Sequence, residues 1–254
     1  MLFINNLLSY ILFLPLLGSF LLMTFPSSNK LLLKQSALTI SFITFLISLL
    51  TWVFFNKSIG TFQFVNKFFW IPILNLNFPL GVDGISLFFL LLTTLLIPLC
   101  LLTSWDTVKT DIKKYLILFL VMEFFLIGVF CVLDLLLFYI FFESVLIPMF
   151  LIVGVCGSRE RKIRAAYQFF VYTLIGSVLM LLAILYIYYQ TGTTDVQVLT
   201  TINFDFNTQI ILWLAFFASL AVKVPMVPSH IWLPEFLLLG VLRRLLCGSH
   251  FWIC

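Results

Sequence analysis

The chain has 254 residues, 63% of them hydrophobic and only 9% charged, with a formal net charge of +4 and a mean hydropathy of +1.20. That composition leaves no room for a soluble domain. The few basic residues are spread over short loops without a patch, which does not point to nucleic acid.

Several apolar runs approach or exceed the roughly 20 residues that cross a bilayer. Spans are predicted at residues 6–25, 35–55, 86–104, 115–133, 135–155, 166–190 and 208–227, giving an all-α polytopic membrane protein. The first run, Asn6–Phe25, has no basic flank and no A-x-A cleavage pattern, so it reads as a retained span and not a signal peptide. The connection Asn56–Ser86 holds Gly60, Pro72, Pro79, Gly81 and Gly84 among alternating aromatic and polar residues. It is expected to be extended or hairpin-like and to lie on the surface. Asp83 in Gly81-Val-Asp83-Gly84 is expected to shape the turn into the third span. Glu123 falls midway along the fourth span, and Asp134 between the fourth and fifth reads as a helix N-cap. Glu143 lies near the middle of the fifth span, and Pro148 five residues on would loosen that helix. A last apolar piece, Phe236–Cys247, is too short to span alone. The five cysteines (Cys100, Cys131, Cys156, Cys247, Cys254) show no CxxC spacing. They read as small hydrophobes, with no disulfide framework and no metal site.

Loop charge predicts the orientation. Lys30, Lys34, Lys109, Lys113, Lys114, Arg159, Arg161, Lys162 and Arg164 all fall on one side, against Lys57 and Lys67 on the other. The positive-inside rule then puts the N-terminus outside and the basic loops in the cytoplasm or matrix. Arg159–Arg164 is accordingly read as a topology determinant and not a phosphate site.

The segment Ala221-Val-Lys223-Val-Pro225-Met-Val-Pro228-Ser-His230-Ile-Trp232-Leu-Pro234-Glu235 carries the most chemistry. A cation in an apolar helix costs roughly 2.5–3.5 kcal/mol and usually marks an ion or proton path. Prolines directly after it break the helix, which membrane proteins tolerate only where the backbone lines a cavity or is packed in protein. An isolated carboxylate at the bilayer centre keeps its proton, whereas a nearby ammonium favours the ionised form. Glu143 and Lys223 therefore make a pair that could load and unload protons. For Glu143 the competing reading is a neutral acid in a structural hydrogen bond. Glu123 is either a second relay site or a packing contact. His230 suits a proton carrier, and equally an interfacial histidine beside Trp232.

Several of these stretches resemble one family. Phe141-Phe-Glu143-Ser-Val-Leu-Ile-Pro148, Gly157-Ser-Arg-Glu-Arg-Lys-Ile-Arg164, Gln190-Thr-Gly-Thr-Thr-Asp195 and Phe216-Phe-Ala-Ser-Leu-Ala-Val-Lys223 through Glu235 are similar to the chain 4 family of mitochondrial NADH:ubiquinone oxidoreductase (respiratory complex I), its plant and algal members in particular. Gly81-Val-Asp-Gly-Ile-Ser86 and Asp134-Leu-Leu-Leu-Phe-Tyr139 fit as well. The resemblance implies an antiporter-like helix bundle of the membrane arm, here its first inverted repeat with a broken seventh helix. It implies that Glu143 and Lys223 form the proton-loading half of a channel, with Glu123 and His230 as further relay groups. It implies no cofactor in this chain: flavin, iron–sulfur clusters and quinone chemistry belong to partner subunits. The other implied partners are further membrane-arm subunits, and the implied location is the mitochondrial inner membrane, with the N-terminus on the intermembrane-space side.

The resemblance runs from about Leu12 to Glu235, within a transmembrane domain read as residues 1–235, and ends there. Residues 236–254, with Arg243 and Arg244, form a divergent tail where the family continues into an eighth helix with a second intramembrane lysine. A frameshift, an unspliced or unedited transcript, or a split gene with a second polypeptide would each produce it. Three readings follow: a proton-translocating subunit of the respiratory enzyme, a cation/proton antiporter subunit of the related bacterial type, or a truncated assembly scaffold.

Overall fold

Lipid offers no partner to an amide group, so a chain this apolar must close its backbone hydrogen bonds within helices. The computed structural model describes residues 6–58, 60–71, 76–106, 108, 111–156, 162–224 and 226. Among them lie α1 (Leu7–Thr24), α2 (Lys30–Phe54), β1 (Gln63–Ile71), β2 (Leu76–Val82), α3 (Gly84–Thr103) and α4 (Ile112–Cys131). There follow α5 (Leu135–Ser144), α6 (Leu146–Cys156), α7 (Lys162–Thr191), the short α8 (Val196–Leu199) and α9 (Phe206–Lys223). Seven helical stretches of the described residues are long and apolar enough to cross a membrane, with α5 and α6 together making one of them. A helix lies at each of the seven predicted spans; α2 and α7 begin further into their basic ends than predicted, and α9 ends at Lys223 where the prediction ran to 227.

The chain separates into two compact units. The first holds α1–α4 with most of the β1–β2 hairpin, and the second holds α5–α9. In the first unit, Leu7, Leu8, Ile11, Leu12, Leu90, Leu120 and Ile127 are completely buried. Helices in lipid gain little from apolar contact alone, so small residues and interhelical hydrogen bonds decide how closely they pack. Gly18 of α1 shows the first device, because a Cβ there would lie 2.6 Å from Ile40 Cγ2 on α2. The Ser48 and Thr94 hydroxyls, 2.8 Å apart, show the second between α2 and α3. Two lysines near the starts of α2 and α4 close the ends of other helices. Lys113 Nζ donates to the Met23 and Phe25 carbonyls at the end of α1, each at 2.8 Å, and Lys34 Nζ donates to the Trp105 carbonyl just past α3. Cations suit those positions because the last carbonyls of a helix have no intrahelical partner and carry negative partial charge.

The connection before α3 is the predicted hairpin, but it does not lie wholly on the surface. Leu80 and Val82 are fully buried, and Leu80 forms a β-bridge to Val132 at the end of α4. The apolar alternation of β2 explains this, since it gives the strand a face that can leave water. Asp83 starts α3 as expected: its carboxylate accepts from the Ser86 amide at 2.7 Å while Ser86 Oγ accepts from the Asp83 amide, a reciprocal capping box.

In the second unit, Asp134 caps α5 by accepting from the Leu136 and Leu137 amides at 2.9 and 3.0 Å. It also accepts from the Thr194 hydroxyl. Around it the Leu135 amide bonds the Thr194 carbonyl and the Val196 amide bonds the Leu133 carbonyl, tying the start of α5 to the turn after α7. The predicted fifth span is divided between α5 and α6. Pro148 has no amide to give the Ser144 carbonyl four residues back and its ring crowds that carbonyl, and the flanking bonds Val145→Phe141 and Met149→Val145 stretch to 3.3 and 3.4 Å. The loosening expected of Pro148 therefore falls directly after Glu143.

Asp134→Ala is expected to lower stability by about 1–2 kcal/mol through loss of the cap. Asp134→Asn should recover most of that, because an amide oxygen can cap the same amides. Thermal melts of the detergent-solubilised chain distinguish this capping role from a role for the charge, in which Asn would behave like Ala.

Candidate functional site

The second unit brings Glu143 and Lys223 together. Glu143 sits in the last turn of α5, just before the break caused by Pro148. Lys223 is the final residue of α9, where the backbone leaves the helix. Val224 leaves the helix at φ −80° and ψ 17°, and the Met226 amide reaches back to the Ala221 carbonyl at 2.9 Å, five residues away instead of four. The end of the helix is wider than an α-turn, and Lys223 projects from it.

Lys223 Nζ lies 3.2 Å from Glu143 Oε1, and each side chain is only 17% exposed. Nζ also donates to the Phe142 carbonyl at 2.7 Å and stands 3.1 Å from the centre of the Phe142 ring. That carbonyl belongs to the last turn of α5, where helix ends favour a cation. Lys223 thus has three electron-rich neighbours, all from two consecutive residues of one helix. One turn earlier on α5, Tyr139 lies near Glu143 and near the Ser177 side chain of α7.

Magnitudes indicate what such a pair can do. At 3.2 Å and an effective dielectric constant near 20, the attraction is about 5 kcal/mol. Removing two ions from water costs several kcal/mol each after relaxation. The two terms are of similar size, so the contact itself contributes little net stability.

The register of α9 is set by Gly176 on α7. A Cβ at Gly176 would meet Val222 Cβ and Cγ2 at 2.8 Å, and Val222 is the neighbour of Lys223. No flexible tip is available to yield, since one of the atoms is the branch point of a valine. Sequence reading did not single out Gly176 or Phe142. A lone glycine in a span carries no mark of what it faces, and Phe142 contributes mainly its backbone carbonyl.

Glu123 lies in the first unit, on α4, and is completely buried. Its Oε1 accepts from Thr44 Oγ1 of α2 at 2.9 Å, while Oε2 has no hydrogen-bond partner. Its partner is a hydroxyl and not a cation, unlike that of Glu143. Thr44 was also missed, although Ser41, Thr44, Ser48 and Thr51 recur on one helical face and could have flagged it. His230, the Pro225 and Pro228 positions and the tail from 236 lie outside the described residues.

The chain is similar to known proteins over most of its length. A family model described as NADH:quinone oxidoreductase/Mrp antiporter, TM, matches residues 132–238, a stretch containing both Glu143 and Lys223. NADH-ubiquinone oxidoreductase chain 4 of Chondrus crispus is 64% identical over 221 residues, covering 87% of this chain and 45% of that protein. The Arabidopsis thaliana protein of the same name is 60% identical over 228 residues, covering 90% and 46%. A chain in the structure of respiratory complex I from Thermus thermophilus with bound NADH superposes with a TM-score of 0.80 at 29% identity, covering 92% of this chain and 47% of that one. A chain of an archaeal membrane-bound sulfane sulfur reductase, at 21% identity and a TM-score of 0.78, shares the fold. The chain thus spans about half the length of the relatives it matches.

Gly176→Ala is expected to push α7 and α9 apart and cost about 1–3 kcal/mol, the usual penalty for overpacking. Adding Val222→Gly should relieve the clash, and thermal melts of the two single variants and the double variant would show non-additivity. Additive losses would mean that the close approach does not set the register of α9. Over about nine-tenths of its length, this chain is homologous to the N-terminal half of NADH-ubiquinone oxidoreductase chain 4.

Proposed function

We propose that the chain is the first-repeat portion of a proton-translocating membrane-arm subunit of NADH:ubiquinone oxidoreductase, with Glu143 and Lys223 as its proton-loading pair. The observation that carries this reading is the Glu143–Lys223 contact itself: two opposite charges in apolar helices, each at a break in its helix. The proton moves between two states. In one, Lys223 carries it and Glu143 is ionised. In the other it rests on the Glu143 carboxyl and Lys223 is a neutral amine that can leave the Phe142 carbonyl. Separating the two groups loads or unloads a proton, and the loosened turns beside both residues are where water can enter. Glu123 and His230 serve as further relay positions in the same reading.

A proton moved against 100 mV costs roughly 2.3 kcal/mol, so the pair alone cannot pump. The driving energy comes from electron transfer in partner subunits, which carry the flavin, the iron–sulfur clusters and the quinone site. This chain holds no redox group in that scheme. It lies in the mitochondrial inner membrane with its N-terminus on the intermembrane-space side, in keeping with the nine basic residues of its other loops. Large apolar residues of α9 face outward, with Phe206 72%, Ile211 68% and Trp213 61% exposed. Neighbouring membrane-arm subunits, or a second polypeptide supplying the later helices, would cover that face beside the lipid.

Glu143→Gln is expected to reduce NADH-driven proton pumping in the assembled enzyme at least ten-fold, equivalent to about 1.4 kcal/mol or more on the transfer barrier, with assembly intact. Vesicle acidification measured alongside NADH oxidation provides the readout, and unchanged pumping would reject the role. Sodium-dependent transport from an assembly that does not oxidise NADH would favour the bacterial-type antiporter.

A further inference from the structure

Glu123 accepts a hydrogen bond from a hydroxyl that has a second claim on its proton. Thr44 Oγ1 lies 2.9 Å from Glu123 Oε1, 2.6 Å from the Ser41 carbonyl and 3.2 Å from the Ile40 carbonyl. Both Thr44 and Glu123 are completely buried. A threonine hydroxyl has one proton to donate and lone pairs to accept with. It cannot donate to the carboxyl and to its own helix at the same time.

The two protonation states of Glu123 resolve this competition in opposite ways. An ionised carboxylate can only accept, so the Thr44 proton must point at Oε1 and leave the Ser41 carbonyl. A neutral Glu123 has an O–H of its own, which donates to Thr44 Oγ1 and frees the Thr44 proton for the Ser41 carbonyl at 2.6 Å. Both arrangements use the same heavy-atom positions, and only the rotation of one O–H separates them. In the buried interior an unmade hydrogen bond carries the desolvation penalty of the group left unpaired. Thr44 removes that cost for one carboxyl oxygen in either state, while Oε2 keeps no partner in both.

We propose that Thr44 is a positioning residue for Glu123, a hydroxyl toggle that lets this buried carboxyl gain and lose a proton without rearranging the helices around it. The inference rests on the relay role assigned to Glu123 above. The surroundings leave Thr44 little competition. Of the helices packed on α4, α1 offers Tyr10, α3 offers Cys100, and α2 offers Lys30 and Lys34, which start the helix. Lys34 and Lys30 lie ten and fourteen residues before Thr44, about 15 and 21 Å along the helix. On α4 itself Lys113, Lys114, Tyr115 and Cys131 are at least eight residues from Glu123, about 12 Å or more.

Infrared difference spectra of the full chain in liposomes test the toggle. The carboxyl C=O band of Glu123 is identified by its loss in Glu123→Gln. Thr44→Val keeps the shape and removes the hydroxyl, and is expected to shift that band to higher frequency; Thr44→Ser keeps the hydroxyl and should leave it in place. In the assembled enzyme, NADH-driven pumping should fall in Thr44→Val and return in Thr44→Ser. A band unmoved by Thr44→Val, or moved equally by Thr44→Ser, overturns the proposal. Thr44→Ala gives the same readout if the valine variant does not accumulate. The band reports on the Thr44–Glu123 bond whether or not protons are pumped. A shifted band with undiminished pumping would therefore remove Glu123 from the relay and leave the hydrogen-bond assignment standing.

Discussion

Everything in this chain follows from one constraint: in hydrocarbon, a backbone amide or carbonyl must find its partner inside the protein. Regular helices meet that demand automatically. The informative places are those where the helix gives way, because something else must then satisfy the freed groups. At the end of α5 the Phe142 carbonyl takes the Lys223 ammonium. At the end of α9 the Met226 amide reaches five residues back. Both irregularities border the same ion pair. Pro148 therefore does more than interrupt a helix, since it leaves the Glu143 carboxylate at a helix end beside the Lys223 ammonium.

The two intramembrane acids show how differently the same side chain can be accommodated. Glu143 meets a cation, a phenol one turn away and two loosened helical turns. Glu123 meets a hydroxyl within a tightly packed four-helix unit. The first arrangement suits a group that exchanges with water and with a partner. The second suits a group whose proton changes hands while its surroundings stay fixed. Their relation to the antiporter-type family is also unequal, since Glu143 lies within the stretch matched by the family model and Glu123 precedes it.

Much of this was legible in the sequence. Span positions follow from apolar run length, which is nearly a direct reading of bilayer thickness. Asp134 was readable as a cap and Asp83 as the residue that shapes the turn into α3, because acceptor side chains ahead of apolar runs have few other uses. The Glu143–Lys223 pairing followed from the cost of leaving either charge alone. What escaped reading was contributed by backbone or by close approach. The Phe142 carbonyl, the contact of Gly176 with Val222 and the burial of Leu80 against Val132 depend on which surfaces meet, and no local pattern encodes that. Thr44 falls between the two cases: its periodicity was visible, but its carboxyl partner 79 residues away was not.

The hydroxyl row of α2 bears on how the first unit comes to exist. Ser41, Thr44, Ser48 and Thr51 each donate to a carbonyl three or four residues earlier on their own helix. A lone α2 can therefore enter the bilayer with its polar side chains already satisfied, at little cost to insertion. Glu123 has no such local refuge on α4 and finds its hydroxyl only after the two helices meet. The hydroxyls of α2 thus need no neighbouring helix, whereas the acid of α4 gains its partner only through association, so the buried carboxyl rewards correct docking.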